Sequence, residues 1–110
     1  MRELELAWAA GLFDGEGSTS VLKTQRDRYT YLRMSVSQKD RRVLDRFTKA
    51  VGVGKVYFNK RGMHSWDCFR QDQVYNVLDL LWPYLSDAKK EQATAAKSRV
   101  VSAKSNFERK

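Results

Sequence analysis

The chain is 110 residues long, which suits one domain over residues 1–110 with a modest core and leaves no room for a second. An apolar fraction of 42%, with one proline and six glycines, excludes a disordered or fibrous chain. A net charge of +8, from 21 lysines and arginines against 13 acids, points to a polyphosphate partner.

The first element is a helix over Glu3 to Phe13, with Leu4, Trp8, Gly11, Leu12 and Gly15 at helical spacing. Gly15 or Gly17 can supply the positive φ that ends it. Ser18 to Gln25 reads as a strand and Arg26 to Arg28 as its turn. Tyr29 to Ser37 then alternates: Thr30, Leu32, Met34 and Val36 face one way, and Tyr29, Tyr31, Arg33 and Ser35 the other. Asp40 caps a second helix striped by Val43, Leu44, Phe47 and Val51, and Gly52 stops it. Lys55 to Lys60 alternates again, with Val56 and Phe58 opposed to Lys55, Tyr57 and Asn59. Lys60 to Gly62 turns the chain, and His64 to Arg70 returns with Trp66 and Cys68 inward. A third helix over Asp72 to Trp82 is interrupted by Pro83. A last helix, capped by Ser86 or Asp87, runs to about Lys104.

The order is αββαββα(α), an α+β class in which two hairpins make one four-stranded antiparallel, curved sheet packed on the helices. The polar face of that sheet carries Tyr29, Tyr31, Arg33, Ser35, Lys55, Tyr57 and Asn59. Ser20, Arg61, Ser65 and Asp67 extend it as candidate DNA contacts, because a basic β-ribbon fits the major groove and reads base edges.

The stretch Gly11 to Ser18, GLFDGEGS, sets two acids among glycines where the first helix stops. Ala7, Gly11 and Gly15 are four apart and share one face, flanked by Ala10 and Asp14. Small residues on such a face let a second helix approach closely, and the natural partner is the same helix of a second copy. A twofold axis there brings two Glu16 carboxylates together at negative helix ends, an arrangement a divalent cation relieves. Hard oxygen ligands suit Mg²⁺. Acids, cation and DNA together point to phosphodiester hydrolysis.

Ala9 to Gly17, AAGLFDGEG, resembles the motif of the LAGLIDADG homing endonucleases. Ala10, Gly11, Leu12, Asp14 and Gly17 match it; Phe13 is a large apolar substitute, Glu16 stands where a second Asp is usual, and Ala9 where Leu is common. Ser35 to Arg42, Gly52 to Val56 and Trp82 to Ala93 resemble later segments of the family in register, so the resemblance covers most of the chain. It implies a homodimeric, site-specific double-strand DNA endonuclease, a meganuclease of intron or intein type. It implies cleavage across the minor groove of a long near-palindromic site, leaving short 3′ overhangs. Glu16 is then the catalytic metal ligand, with the Gly15 carbonyl sharing the metal, and Asp14 serves the helix end and the interface. Gln38 matches a polar residue near the scissile phosphates. Lys89 or Lys90 matches a basic residue that stabilises charge or orients water, and Arg41 or Arg42 does likewise. The expected cofactor is Mg²⁺, with Mn²⁺ able to substitute and Ca²⁺ supporting binding with little cleavage.

Other readings compete. The alternative within the resemblance is a derivative that binds nucleic acid without cutting it, an intron maturase or a repressor. Outside it stands a protein-interaction domain that uses the Ala/Gly face. An EF-hand fails, since the twelfth loop position would be Gln25. Cys68 reads as a small core residue, His64 as a loop or groove-facing polar residue, and Trp8, Trp66 and Trp82 as core. A lone cysteine points to an intracellular protein. No segment approaches the ~18 apolar residues of a membrane span, and neither a membrane nor a small-molecule substrate is expected.

Overall fold

The computed structural model describes residues 2–23, 29–59 and 61–108, with side chains described as far as Val100. The expected turn at Arg26 to Arg28 and the strand position Lys60 lie outside the described residues. The elements follow in the expected order: α1 (Arg2–Glu16), β1 (Gly17–Lys23), β2 (Thr30–Gln38), α2 (Arg41–Val51), β3 (Lys55–Phe58), β4 (His64–Cys68), α3 (Gln71–Leu81), a 3₁₀ turn (Trp82–Tyr84) and α4 (Asp87–Glu108). The strands form one antiparallel four-stranded sheet in the order β1-β2-β4-β3.

Local chemistry accounts for most of these boundaries. The Asp40 carboxylate accepts the Arg42 N–H at 2.9 Å and caps α2, while Gly52, at φ 83°, closes it by donating to the Thr48 carbonyl at 2.7 Å. Along β2, Leu32, Met34 and Val36 are buried between half-buried neighbours, the pattern of a strand with one face on the core. Val74, Val77, Leu78 and Leu81 of α3 and Leu44 and Phe47 of α2 close over them. Trp66 sits at the centre, fully buried, edge-on to Phe47 at 4.8 Å, its indole N–H donating to the Val53 carbonyl at 2.9 Å. Trp8 and Trp82 pack only partly against this core.

Gly54 makes room for that indole. Its φ is +99°, and a Cβ there would lie 2.1 Å from the Trp66 ring nitrogen. Gly54→Ala therefore combines backbone strain with overpacking and should lower stability by about 3 kcal/mol, read as a shift of the denaturant midpoint at unchanged slope.

Two expectations for α1 are corrected. Its core stripe is Leu6, Ala9, Ala10 and Phe13, whereas Leu4 is 64% exposed and Gly11 and Gly15 face outward. The helix is apolar almost all round, so two stripes satisfy the same period, and the bulk of Phe13 decides which one turns inward. Neither Gly15 nor Gly17 has a positive φ; those glycines are Gly52, Gly54 and Gly62. Gly17 is small because of proximity: a Cβ there would fall 2.3 Å from the buried Phe13 ring.

One side chain stands in for a strand. The β2–β4 ladder ends at the pair Met34–Cys68. Beyond it the Gln71 amide donates to the Leu32 carbonyl and accepts the Leu32 N–H, both at 2.9 Å. The ladder thus continues while the chain turns into α3. Gln71→Ala leaves a buried donor and acceptor unpaired, and should cost about 1–3 kcal/mol in equilibrium unfolding.

Candidate nucleic-acid interface and metal site

Alternation puts Ser18, Ser20, Tyr31, Arg33, Ser35, Ser65, Asp67, Lys55 and Tyr57 on the sheet face turned away from the core. Register sets Ser20 across from Arg33, Asp67 between Ser35 and Lys55, and Tyr57 across from Ser65. Ser18 was not foreseen. Its hydroxyl lies 3.5 Å from that of Ser35, and only the pairing of β1 with β2 reveals it.

The centre of this face is a closed network. The Arg33 Nε and Nη2 donate to one Asp67 carboxylate oxygen at 3.0 and 2.7 Å, and the Tyr57 hydroxyl donates to the other. Burial opposes the Arg33 charge, but the hydrogen bond and attraction of Asp67 outweigh it and raise the guanidinium above its usual range. Asp67 and Ser65, both expected as DNA contacts, are each only 5% exposed. They lie on the inner strand β4, and Arg33 from β2 and Tyr57 from β3 cover Asp67. Asn59, another expected contact, has a local task. Its carboxamide oxygen accepts the Arg61 and Met63 N–H groups at 2.9 and 3.2 Å, so it organises the β3–β4 turn. Arg61 stands exposed in that turn, Tyr29 is exposed just before β2, and Tyr31 and Ser35 are half-buried.

A second constellation forms where α1 meets β1. Glu16, the last residue of α1, is exposed, and no side-chain partner holds it among the described residues. The Lys89 ammonium donates to the Gly17 carbonyl at 2.5 Å, next in sequence to Glu16. Lys90 instead lies over the Trp82 ring, so the structure brings Lys89 to the motif. Gln92, one helical turn on, accepts the Thr19 N–H at 3.1 Å, and the two side chains of α4 cover the outer edge of β1. Asp14 accepts the Ser86 N–H at 3.1 and 3.2 Å, tying the end of α1 to the start of α4. Gln38 ends β2, two residues past the partner of Gly17, at the same end of the sheet. Arg41 pairs with Asp45 and Arg42 with Asp40, so both charges are met locally on α2.

Of the expected interface residues, Ala7, Gly11 and Gly15 form an open stripe on α1, and a Cβ on either glycine would meet nothing within 4 Å. Asp14 is half-buried at its edge. Ala10 is fully buried in the chain's own core and leaves that stripe. The His64 Nδ1–H donates to the Lys39 carbonyl at 3.1 Å, and Cys68 is buried, its thiol pushed up by that burial. Among the described residues no three His, Cys, Asp or Glu side chains cluster as a metal site, and no helix is long and apolar enough to cross a membrane.

A curved antiparallel sheet carried on helices, with an acid and glycines where the first helix enters it, defines a homing-endonuclease-like α+β domain. The model of the LAGLIDADG endonuclease family matches residues 9–97, and the chain belongs to that family. Among solved structures it is similar to the homing endonuclease I-CvuI, in complex with the I-CreI target in the presence of 2 mM Mg. The TM-score is 0.76, with 26% identity, over 84% of this chain and 63% of that one. It is similar to the LAGLIDADG homing endonuclease I-GzeII in complex with its DNA target, with a TM-score of 0.75 and 27% identity, over 89% of this chain and 36% of that one. The archaeal intron-encoded I-Vdi141I, complexed with DNA, shares the fold with a TM-score of 0.67 and 22% identity, over 76% of this chain and 57% of that one. The chain therefore spans less than two thirds of the length of the I-CvuI chain. No curated protein sequence gives a significant match.

Proposed function

We propose that this chain is an intracellular, homodimeric, divalent-metal-dependent endonuclease acting on a long near-palindromic site in double-stranded DNA. The observation that carries the reading is the junction of α1 and β1, where the exposed Glu16 carboxylate and the Lys89 ammonium lie at the same end of the sheet as Gln38, the last residue of β2. The donor set fits a hard cation as half of a shared site. One chain offers a carboxylate and the Gly15 carbonyl, and a second copy across the Ala7/Gly11/Gly15 stripe offers the same again. Mg²⁺ bound there, or Mn²⁺ in its place, supplies an activated water and stabilises the leaving oxygen.

The chain's own residues have separable tasks. Glu16 and the Gly15 carbonyl hold the cation. Lys89 presents positive charge beside the phosphate that the helix end would otherwise repel. Gln38 orients the solvent or phosphate at the sheet end. The face carrying Ser20, Tyr31, Arg33, Ser35, Lys55 and Tyr57 lies along the major groove, with Tyr29 and Arg61 at its margins. A seven-residue strand spans roughly 23 Å, so two copies and the segment between them cover on the order of 20 base pairs. Incubating the protein with a plasmid library of randomised sites tests this: double-strand cutting that needs Mg²⁺ or Mn²⁺ and stops in Ca²⁺ is the expected result. Tight, salt-sensitive duplex binding without cutting under any of these ions would mark a non-cleaving derivative instead.

A further inference from the structure

We infer that Asp67 is a positioning residue that locks Arg33 and Tyr57 into one reading unit, and that the unit recognises a G·C base pair. The inference rests on the DNA-binding reading above.

The chemistry is fixed by who donates to whom. A tyrosine hydroxyl carries a single hydrogen, and Tyr57 gives its hydrogen to Asp67. What remains is the oxygen's lone pairs, shared between the Arg33 guanidinium and a ligand, so toward a ligand Tyr57 is an acceptor only. Arg33 turns its Nε and one Nη2 hydrogen to the other carboxylate oxygen. Tyr57 also holds the guanidinium by hydrogen bond and attraction, and the Arg33 side chain stays one-third exposed, with N–H groups left over for a ligand. Asp67 has both oxygens engaged and is buried, so it touches no ligand itself. The unit therefore shows donors on the β2 side and an acceptor on the β3 side, with β4 between them.

In the major groove a G·C pair offers the complement: the guanine O6 and N7 acceptors beside the cytosine amino donor. Thymine in place of cytosine would set its carbonyl oxygen against the Tyr57 lone pairs. Free of Asp67, Tyr57 could rotate its hydrogen outward and accept either base, and Arg33 could swing among rotamers. The carboxylate thus removes the ambiguity of two side chains that are individually adaptable. The ordering cost is met on folding rather than on binding.

Selection of bound duplexes from a randomised library in Ca²⁺ buffer tests this, using the unmutated chain, Tyr57→Phe and Asp67→Asn. The unmutated chain should enrich G·C at one symmetry-related pair of positions. Tyr57→Phe, at an exposed side chain whose loss threatens no core packing, should weaken that preference about 5- to 10-fold and leave other positions alone. Asp67→Asn should relax the same position at least as much while the salt dependence of binding persists, since phosphate contacts lie elsewhere. Equal weakening at every position in both variants, or an untouched preference, would overturn the inference and leave the DNA reading standing. A folded, unmutated chain that binds no duplex would overturn both.

Discussion

Glu16→Gln should bind the same duplex as the unmutated protein and leave it uncut. The substitution keeps the size of the side chain and removes the charge that holds the cation. Glu16 is exposed and has no partner among the described residues, so the fold loses nothing. In the proposed dimer both cations depend on this residue, and a rate loss of about 10³-fold or more is expected, since such an ion supplies several kcal/mol to the transition state. Affinity should persist, and rise slightly in metal-free buffer, because two negative charges have left the neighbourhood of the phosphates. Measuring binding and single-turnover cleavage on one duplex separates the two functions. Cutting at near the original rate would make Glu16 a structural helix end.

Gly11→Leu should abolish cleavage by a different route. A Cβ at Gly11 meets nothing within 4 Å, so the single chain accommodates the new side chain. Replacing an exposed glycine in the middle of a helix should even stabilise the monomer, by about 0.5–1 kcal/mol. The leucine stands instead where a second α1 would pack against Ala7, Gly11 and Gly15. Sedimentation should therefore find a well-folded monomer that melts no lower than the unmutated chain and does not cut. An intact, active dimer of this variant would refute the interface. Because folding and assembly are read separately, a loss of activity here cannot be put down to misfolding.

What could be read from the sequence was local. The Asp40 cap and Gly52 stop of α2 lie within one short segment and carry their own chemistry, as does the two-residue alternation of β2. The acid-glycine motif was visible for the same reason, its parts being adjacent. What escaped was set by partners far along the chain. Gln71 pairs with the backbone of Leu32, 39 positions away, and nothing in its neighbours marks it. Asp67 alternates like a surface residue, yet Arg33 and Tyr57 from the two flanking strands cover it. The inward face of α1 could not be chosen by period, because the helix is apolar on nearly every side. Lys89 and Lys90 are equivalent as letters, and only the packing of α4 against β1 sends one to Gly17 and the other to Trp82.

The passage from α1 to β1 has no residue to spare: Glu16 closes the helix and Gly17 opens the strand. A carboxylate on a loop could adjust its own position, whereas this one is rigidly geared to two elements. Gly17 is seated on the Phe13 ring and gripped at its carbonyl by Lys89, so the junction is a fulcrum and α1 and β1 are the arms of one lever. In the proposed pair, the gap between the two carboxylates is then set by how two levers cross. Retargeting follows a simple rule. In the proposed complex, side chains at Ser20 or Tyr31, further along the sheet from Gly17, would be recarved for a new sequence without moving the cutting point. Bulk driven into the fulcrum at Gly17 would misalign reading and cutting together.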